Sequence, residues 1–126
     1  NILPIKEKGT LKLIEGDSEI MPGISVRLFH GHTEGQVIPM IQYNGKTIVY
    51  MADLLPSTAH IPLPYVMSYD TRPLITMEEK EKFMIEAAEK GYILFFEHDI
   101  KNECCTVEIT EKGVRLKEAF PLADIL

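Results

Sequence analysis

The chain has 126 residues, enough for one domain that buries roughly two-thirds of its unfolded surface, and its 45% hydrophobic and 25% charged content argues against wholesale disorder. Thirteen basic against 19 acidic residues give a net charge of -6, with no Lys/Arg cluster interleaved with aromatics, so nucleic acid is not an expected partner. No apolar run is long enough for a transmembrane helix, and the start Asn1-Ile2-Leu3-Pro4-Ile5-Lys6 lacks the basic and apolar regions of a secretory signal.

In chain order, residues 10–14 and 25–29 read as strands, with Gly16-Asp17-Ser18 and Met21-Pro22-Gly23 as turns. The turn His30-Gly31-His32-Thr33-Glu34-Gly35 follows and leaves an imidazole at a strand end, the kind of rigid place that suits a metal ligand. Strands over 37–43 and 46–52 flank Asn44-Gly45, a pair that favours positive φ and predicts a two-residue type I′ hairpin. That hairpin brings His32 and Asp53 to the same end of the sheet.

Residues 54–75 carry Pro56, Pro62, Pro64 and Pro73 and read as a long ordered loop of the kind that walls a pocket. Thr76-Met77-Glu78-Glu79 reads as a capping box that opens an amphipathic helix ending at Gly91. Met77, Met84 and Ala88 mark its buried face, with Phe83 and Ala87 beside them, and Glu79, Lys80, Glu81 and Lys82 fit the solvated one. The apolar run 92–96 predicts a strand buried on both faces and delivers Glu97-His98-Asp99 at its end. Cys105, Val107 and Ile109 then alternate with polar residues, and Glu111-Lys112-Gly113 turns the chain back through Val114-Arg115-Leu116 as a closing hairpin.

Three strand ends far apart in sequence therefore offer His32, Asp53 and His98 to one composite site. Spacing alone leaves ordinary alternatives open, with Asp53 capping the loop after it and His98 a solvated histidine. Cys104 and Cys105 are adjacent, so on a strand they point to opposite faces and a disulfide between them is strained. Reduced thiols and a cytoplasmic setting are the expectation, with a vicinal redox or metal pair as the alternative.

The series Gly31-His32-Thr33-x-Gly35, hairpin, Asp53, proline-rich loop, helix, buried strand and His98 resembles the C-terminal half of the metallo-beta-lactamase-fold hydrolases over residues 11–122. The segments Glu15-Gly16-Asp17 to Gly23-Ile24 and Gly45-Lys46-Thr47 to Asp53-Leu54 also follow that superfamily's pattern. The resemblance implies an α+β fold, the C-terminal half of a four-layer αββα sandwich, with residues 1–126 as a single partial domain. It places His32 at a first metal position, Asp53 as the catalytic carboxylate bridging two metals, and His98 at the second position. Two zinc ions per complete site are implied, with iron or manganese also compatible. A hydroxide between them would attack an ester, lactone, amide or phosphoester of a small-molecule substrate. His60, Tyr65, Tyr69 and Asp70 on the long loop would then border the substrate pocket.

Two departures stand out. The superfamily's His-x-His-x-Asp-His motif is absent, since the four histidines are His30, His32, His60 and His98. With no initiator methionine either, the chain reads as a C-terminal fragment that by itself binds metal weakly and hydrolyses poorly or not at all. An inner sheet face left bare would favour self-association or pairing with the missing N-terminal half. His30 occupies a position often held by proline and reads as a surface residue, and Gln36 leaves the substrate subclass open. An iron-dependent oxidoreductase on the same fold and a non-catalytic interaction module are the competing readings.

Overall fold

The structure, a computed structural model, describes residues 2–126. Seven strands form one mixed sheet in sequential order: β1 (Ser18–Met21), β2 (Ile24–Phe29), β3 (Gln36–Tyr43), β4 (Lys46–Tyr50), β5 (Ile93–Phe95), β6 (Cys104–Thr110) and β7 (Gly113–Phe120). Every neighbouring pair is antiparallel except β4 and β5. Parallel neighbours need a crossover, and the long loop with its helix supplies it. A short helix, α1 (Leu3–Glu7), precedes the sheet, and α2 (Pro73–Lys90) covers one face of it.

The Asn44-Gly45 hairpin is present, with φ of 48° and 74° and Tyr43 paired to Lys46. The Thr110 to Gly113 hairpin closes the sheet as expected. Helix α2 starts earlier than its sequence predicts. Pro73 occupies its first turn, where a missing N–H costs nothing, and Arg72 is the N-cap with no side-chain capping bond. Thr76 is thus inside the helix and buried, so the capping box is not formed, and Gly91 ends the helix at φ 65°. The buried positions are Thr76, Lys80, Phe83, Met84 and Ala87, a helical spacing that carries one cation inward; Lys80 belongs to the buried face and Glu79 is half-buried.

Residues 10–14 form no strand, because the first sheet partner of β2 is Ser18–Met21 and nothing pairs with the segment before it. The helix-side core joins Phe29, Ile38, Met40, Val49, Leu94, Cys105 and Val107 to Phe83, Met84 and Ala87. Cys104 lies in the separate cluster on the other face, with Ile48, Ile93 and Ile125, so the adjacent thiols do face opposite ways. Both are free and buried, and burial raises them to about 11 for Cys104 and about 12 for Cys105. The face away from α2 is not wholly bare, because Leu122 and Ile125 fold back over it. Among the described residues no helix is long and apolar enough to cross a membrane.

Candidate metal centre

Strand β2 ends at Phe29 and the chain turns through His30 to Gly35 before β3 begins. The turn is fastened to the start of α2. The N–H groups of His30 and Gly31 donate to the Glu79 carboxylate at 2.8 to 3.1 Å, and the Arg72 N–H donates to the Gly31 carbonyl at 2.9 Å. Thr71 donates its N–H to the His32 carbonyl at 3.0 Å, and its hydroxyl reaches the same oxygen at 2.8 Å. Gly31 has no alternative here, because a Cβ on it would lie 2.3 Å from the Thr76 nitrogen and 2.5 Å from its Cα. His30 accepts a bond from the Gly35 N–H through Nδ1 at 3.1 Å, so it stiffens its own turn.

Asp53 follows the end of β4. Met51 still donates its N–H to the Phe95 carbonyl at 2.9 Å, and Ala52 then takes φ 41°. A non-glycine residue in that region is strained by about 1 kcal/mol or more, and the bend turns the chain out of the sheet directly before the carboxylate. His98 follows β5 in a turn organised by Asp99, whose carboxylate accepts bonds from the Lys101 and Asn102 N–H groups and from both the N–H and hydroxyl of Thr58. Together those donors keep Asp99 ionised well below the usual carboxylate range despite its partial burial.

These three strand ends meet. His32 Nε2 lies 3.6 Å from Asp53 Oδ2, and His98 Nε2 lies 3.4 Å from Asp53 Oδ1. Both separations exceed the N···O distance of about 2.7 to 3.2 Å for a hydrogen bond. They match the spacing of about 3.4 Å between two donors on one tetrahedral zinc, given metal–ligand bonds near 2.0 to 2.2 Å. Each histidine thus faces a different oxygen of the same carboxylate. His32 is further committed: its Nδ1 lies 2.8 Å from Asp70 Oδ1, an oxygen that as a carboxylate accepts, so Nε2 is the nitrogen turned toward Asp53.

A cavity of about 400 Å³ opens beside His98 and is walled by the long loop, including Ser57, His60, Met67 and Tyr69. His60 Nδ1 pairs with the Ser57 hydroxyl at 2.8 Å, and burial together with the Lys80 ammonium holds its imidazole below the ordinary value, so it is neutral at pH 7. Tyr69 stands edge-on to His32, with ring centroids 6.2 Å apart. Tyr65 is exposed and does not line this cavity. Asp70 does not line it either and is buried, turned to His32.

No family profile matches the chain, and no curated protein does. Solved structures do. A probable metal-dependent hydrolase from Staphylococcus aureus is 28% identical and superimposes with a TM-score of 0.73 over 90% of this chain and 42% of its own. AidC, a dizinc quorum-quenching lactonase, is 23% identical with a TM-score of 0.74 over 90% of this chain and 40% of its own. The hydrolase AbOPH of the beta-lactamase superfamily is 19% identical with a TM-score of 0.72 over 95% and 42%. The chain has the fold of the C-terminal half of the metallo-beta-lactamase-fold hydrolases. It spans about two-fifths of the length of the structures it matches.

Within that hydrolase fold the donor set fits metal in kind and in orientation but is incomplete. One imidazole nitrogen and one carboxylate oxygen on each side of Asp53 make two donors per position, half of what a tetrahedral zinc takes. In keeping with this, no group of three or more His, Cys, Asp or Glu among the described residues is gathered to hold an ion by itself. Sequence patterns did not single out the residues that hold the candidates in place. Asp99 had an audible signal, an aspartate two and three residues before the N–H groups it accepts, as in an Asx turn. Glu79 and Lys80 had none, because their partners lie on the turn and the loop rather than on their own helix.

Proposed function

We propose that this chain is the C-terminal part of a metal-dependent hydrolase, a single partial domain in which His32, Asp53 and His98 bind two divalent ions, with zinc the expected metal. The observation that carries the reading is the division of Asp53: one oxygen faces His32 at 3.6 Å and the other faces His98 at 3.4 Å. A carboxylate between two cations offsets the charge of both.

Metal ions there would supply Lewis acidity, which makes water a usable nucleophile at neutral pH. The chain's own residues do the positioning. Asp70 fixes the tautomer and direction of His32, and a buried acceptor of this kind strengthens an imidazole as a ligand. The strained bend at Ala52 and the Asp99-centred turn set Asp53 and His98 at the two remaining strand ends. The cavity beside His98 has the size of a small-molecule site. Its wall of Met67, Val66 and Pro56 would hold an apolar part of the substrate, and the neutral His60 beside Ser57 would serve as a hydrogen-bonding group toward it. An ester or lactone, the second being the group acted on by the structural neighbour AidC, suits that combination.

The test is zinc titration of the chain followed through the His32 and His98 ring resonances, with Asp53→Ala beside it, since half a donor set holds an ion weakly. Zinc-dependent shifts of both histidines that are lost in Asp53→Ala support the reading. Equal shifts in the two proteins would remove Asp53 from the site and end it.

A further inference from the structure

Lys80 is the largest fully buried side chain of the protein's described residues, at 1% exposure, on a helix whose other inward positions are apolar or threonine. Its ammonium has three N–H donors and meets three carbonyl oxygens, those of His60 at 3.0 Å, Pro62 at 3.2 Å and Tyr65 at 2.8 Å. All three acceptors belong to one stretch of the long loop. That stretch has few bonds of its own: Pro62 and Pro64 supply no N–H, and beside the 3-10 turn Thr58–His60 and the buried Ile61 it is closed by one turn bond, from the Tyr65 N–H to the Pro62 carbonyl at 3.0 Å. The wall of the cavity beside His98 is built from residues on both sides of the clamped stretch, with Ser57 and His60 at its start and Val66 and Met67 immediately after it.

We propose that Lys80 is a positioning residue for the substrate cavity, its buried ammonium gathering the carbonyls of residues 60, 62 and 65 so that His60 and Met67 stand in the cavity wall beside His98. The role of the cavity rests on the hydrolase reading above, whereas the clamp itself does not. Lys80 touches neither substrate nor metal position. It acts through the backbone of the loop, from the helix that also fastens the His32 turn through Glu79.

The test compares Lys80→Met, which keeps the length and removes the donors, with Lys80→Arg, which keeps charge and donors. Amide hydrogen exchange is read across the whole chain, zinc titration is run alongside, and the His60 ring resonances are followed by NMR. In Lys80→Met the amides of residues 58–69 are expected to exchange at least about tenfold faster and the His60 signals to move, while amides of β4, β5 and β6 change less than about twofold. Lys80→Arg is expected to restore most of the loop protection. Unchanged loop exchange in a folded Lys80→Met overturns the proposal, and so does an equal loss of protection in loop and sheet, which would make Lys80 an ordinary core residue. If Lys80→Met does not fold, a folded Lys80→Arg with native loop exchange supports the clamp, and failure of both variants to fold overturns it. Zinc-induced shifts of His32 and His98 that are the same in the native chain and in Asp53→Ala would sink the hydrolase reading while leaving the loop result to decide the clamp.

Discussion

The two histidines that flank Asp53 are held in different ways. The His32 side chain is 13% exposed, bonded to a buried aspartate and packed edge-on to Tyr69, on a turn fixed to α2 through Glu79, Thr71 and Arg72. The His98 side chain is 49% exposed and stands beside Asp53 at the edge of the cavity. What is anchored there is the backbone after it, through Asp99. One side of the site is therefore prepared before any ligand arrives, and the other is delivered by a fixed strand end with its side chain half open to solvent. Preorganisation lowers the entropy cost of binding, so the His32 side should take metal first and the His98 side should gain its order on binding.

The largest expected break in that contrast is Gly31→Ala. The added methyl collides with the backbone of Thr76, which cannot yield as a side-chain tip can, so the turn must leave the helix. A loss of about 2 to 3 kcal/mol in urea unfolding is expected, with the His32 resonances displaced and those of His98 little changed. A loss under about 0.5 kcal/mol would show that the turn is not fastened as described.

A smaller change sharpens the contrast without disturbing the backbone. Asp70→Asn keeps shape but replaces an anionic acceptor, and zinc affinity on the His32 side should fall about 10- to 100-fold. Titration followed by the two sets of histidine resonances separates the sides, and an equal weakening at His98 would mean that the two are not independently supported.

The smallest effect is in the pH dependence of stability and tests the helix behind the His32 side. Burial lowers Lys80 to about 8 from an ordinary 10.5. Between those values the unfolded chain binds more protons than the folded one, so stability rises with pH. Cys104 and Cys105 work in the opposite sense above 9, where the unfolded thiols lose protons that the buried ones keep. Tyr50, raised to about 12 chiefly by donating to the Glu97 carboxylate, adds to that loss above 10. Stability should therefore rise from about pH 8 to 9, by less than about 1.4 kcal/mol, and then turn over. Urea unfolding at half-unit steps checks it, and a flat or falling profile from 8 to 9 would place the Lys80 ammonium in a more solvated setting.

The hairpin at Asn44-Gly45, the closing hairpin, the end of α2 at Gly91 and the opposite orientations of Cys104 and Cys105 were all legible in the sequence. Each depends on φ preferences or on side-chain alternation within a few residues. The beginning of α2 was not. Thr76-Met77-Glu78-Glu79 has the composition of a capping box, but Pro73 starts the helix a turn earlier, and Glu79 then spends its carboxylate on the N–H groups of His30 and Gly31 some 48 residues away. Residues 10–14 alternate like a strand yet join no sheet among the described residues, since a strand exists only where a neighbouring strand accepts its hydrogen bonds.

The same division runs through the site. His32, Asp53 and His98 could be picked out as strand-end residues from sequence alone, because the elements that carry them are short-range structures. That they share one carboxylate, one histidine to each oxygen, is a matter of the parallel pairing of β4 with β5 and of the bend at Ala52. Asp70 read as a pocket residue and is instead the buried partner of His32, and Lys80 read as solvated and is instead the centre of three loop carbonyls. A charged residue in an amphipathic helix is placed on the surface by periodicity. Only the long-range folding of a proline-rich loop over that helix creates the acceptors that make its burial stable, and local sequence holds no record of where such a loop will lie.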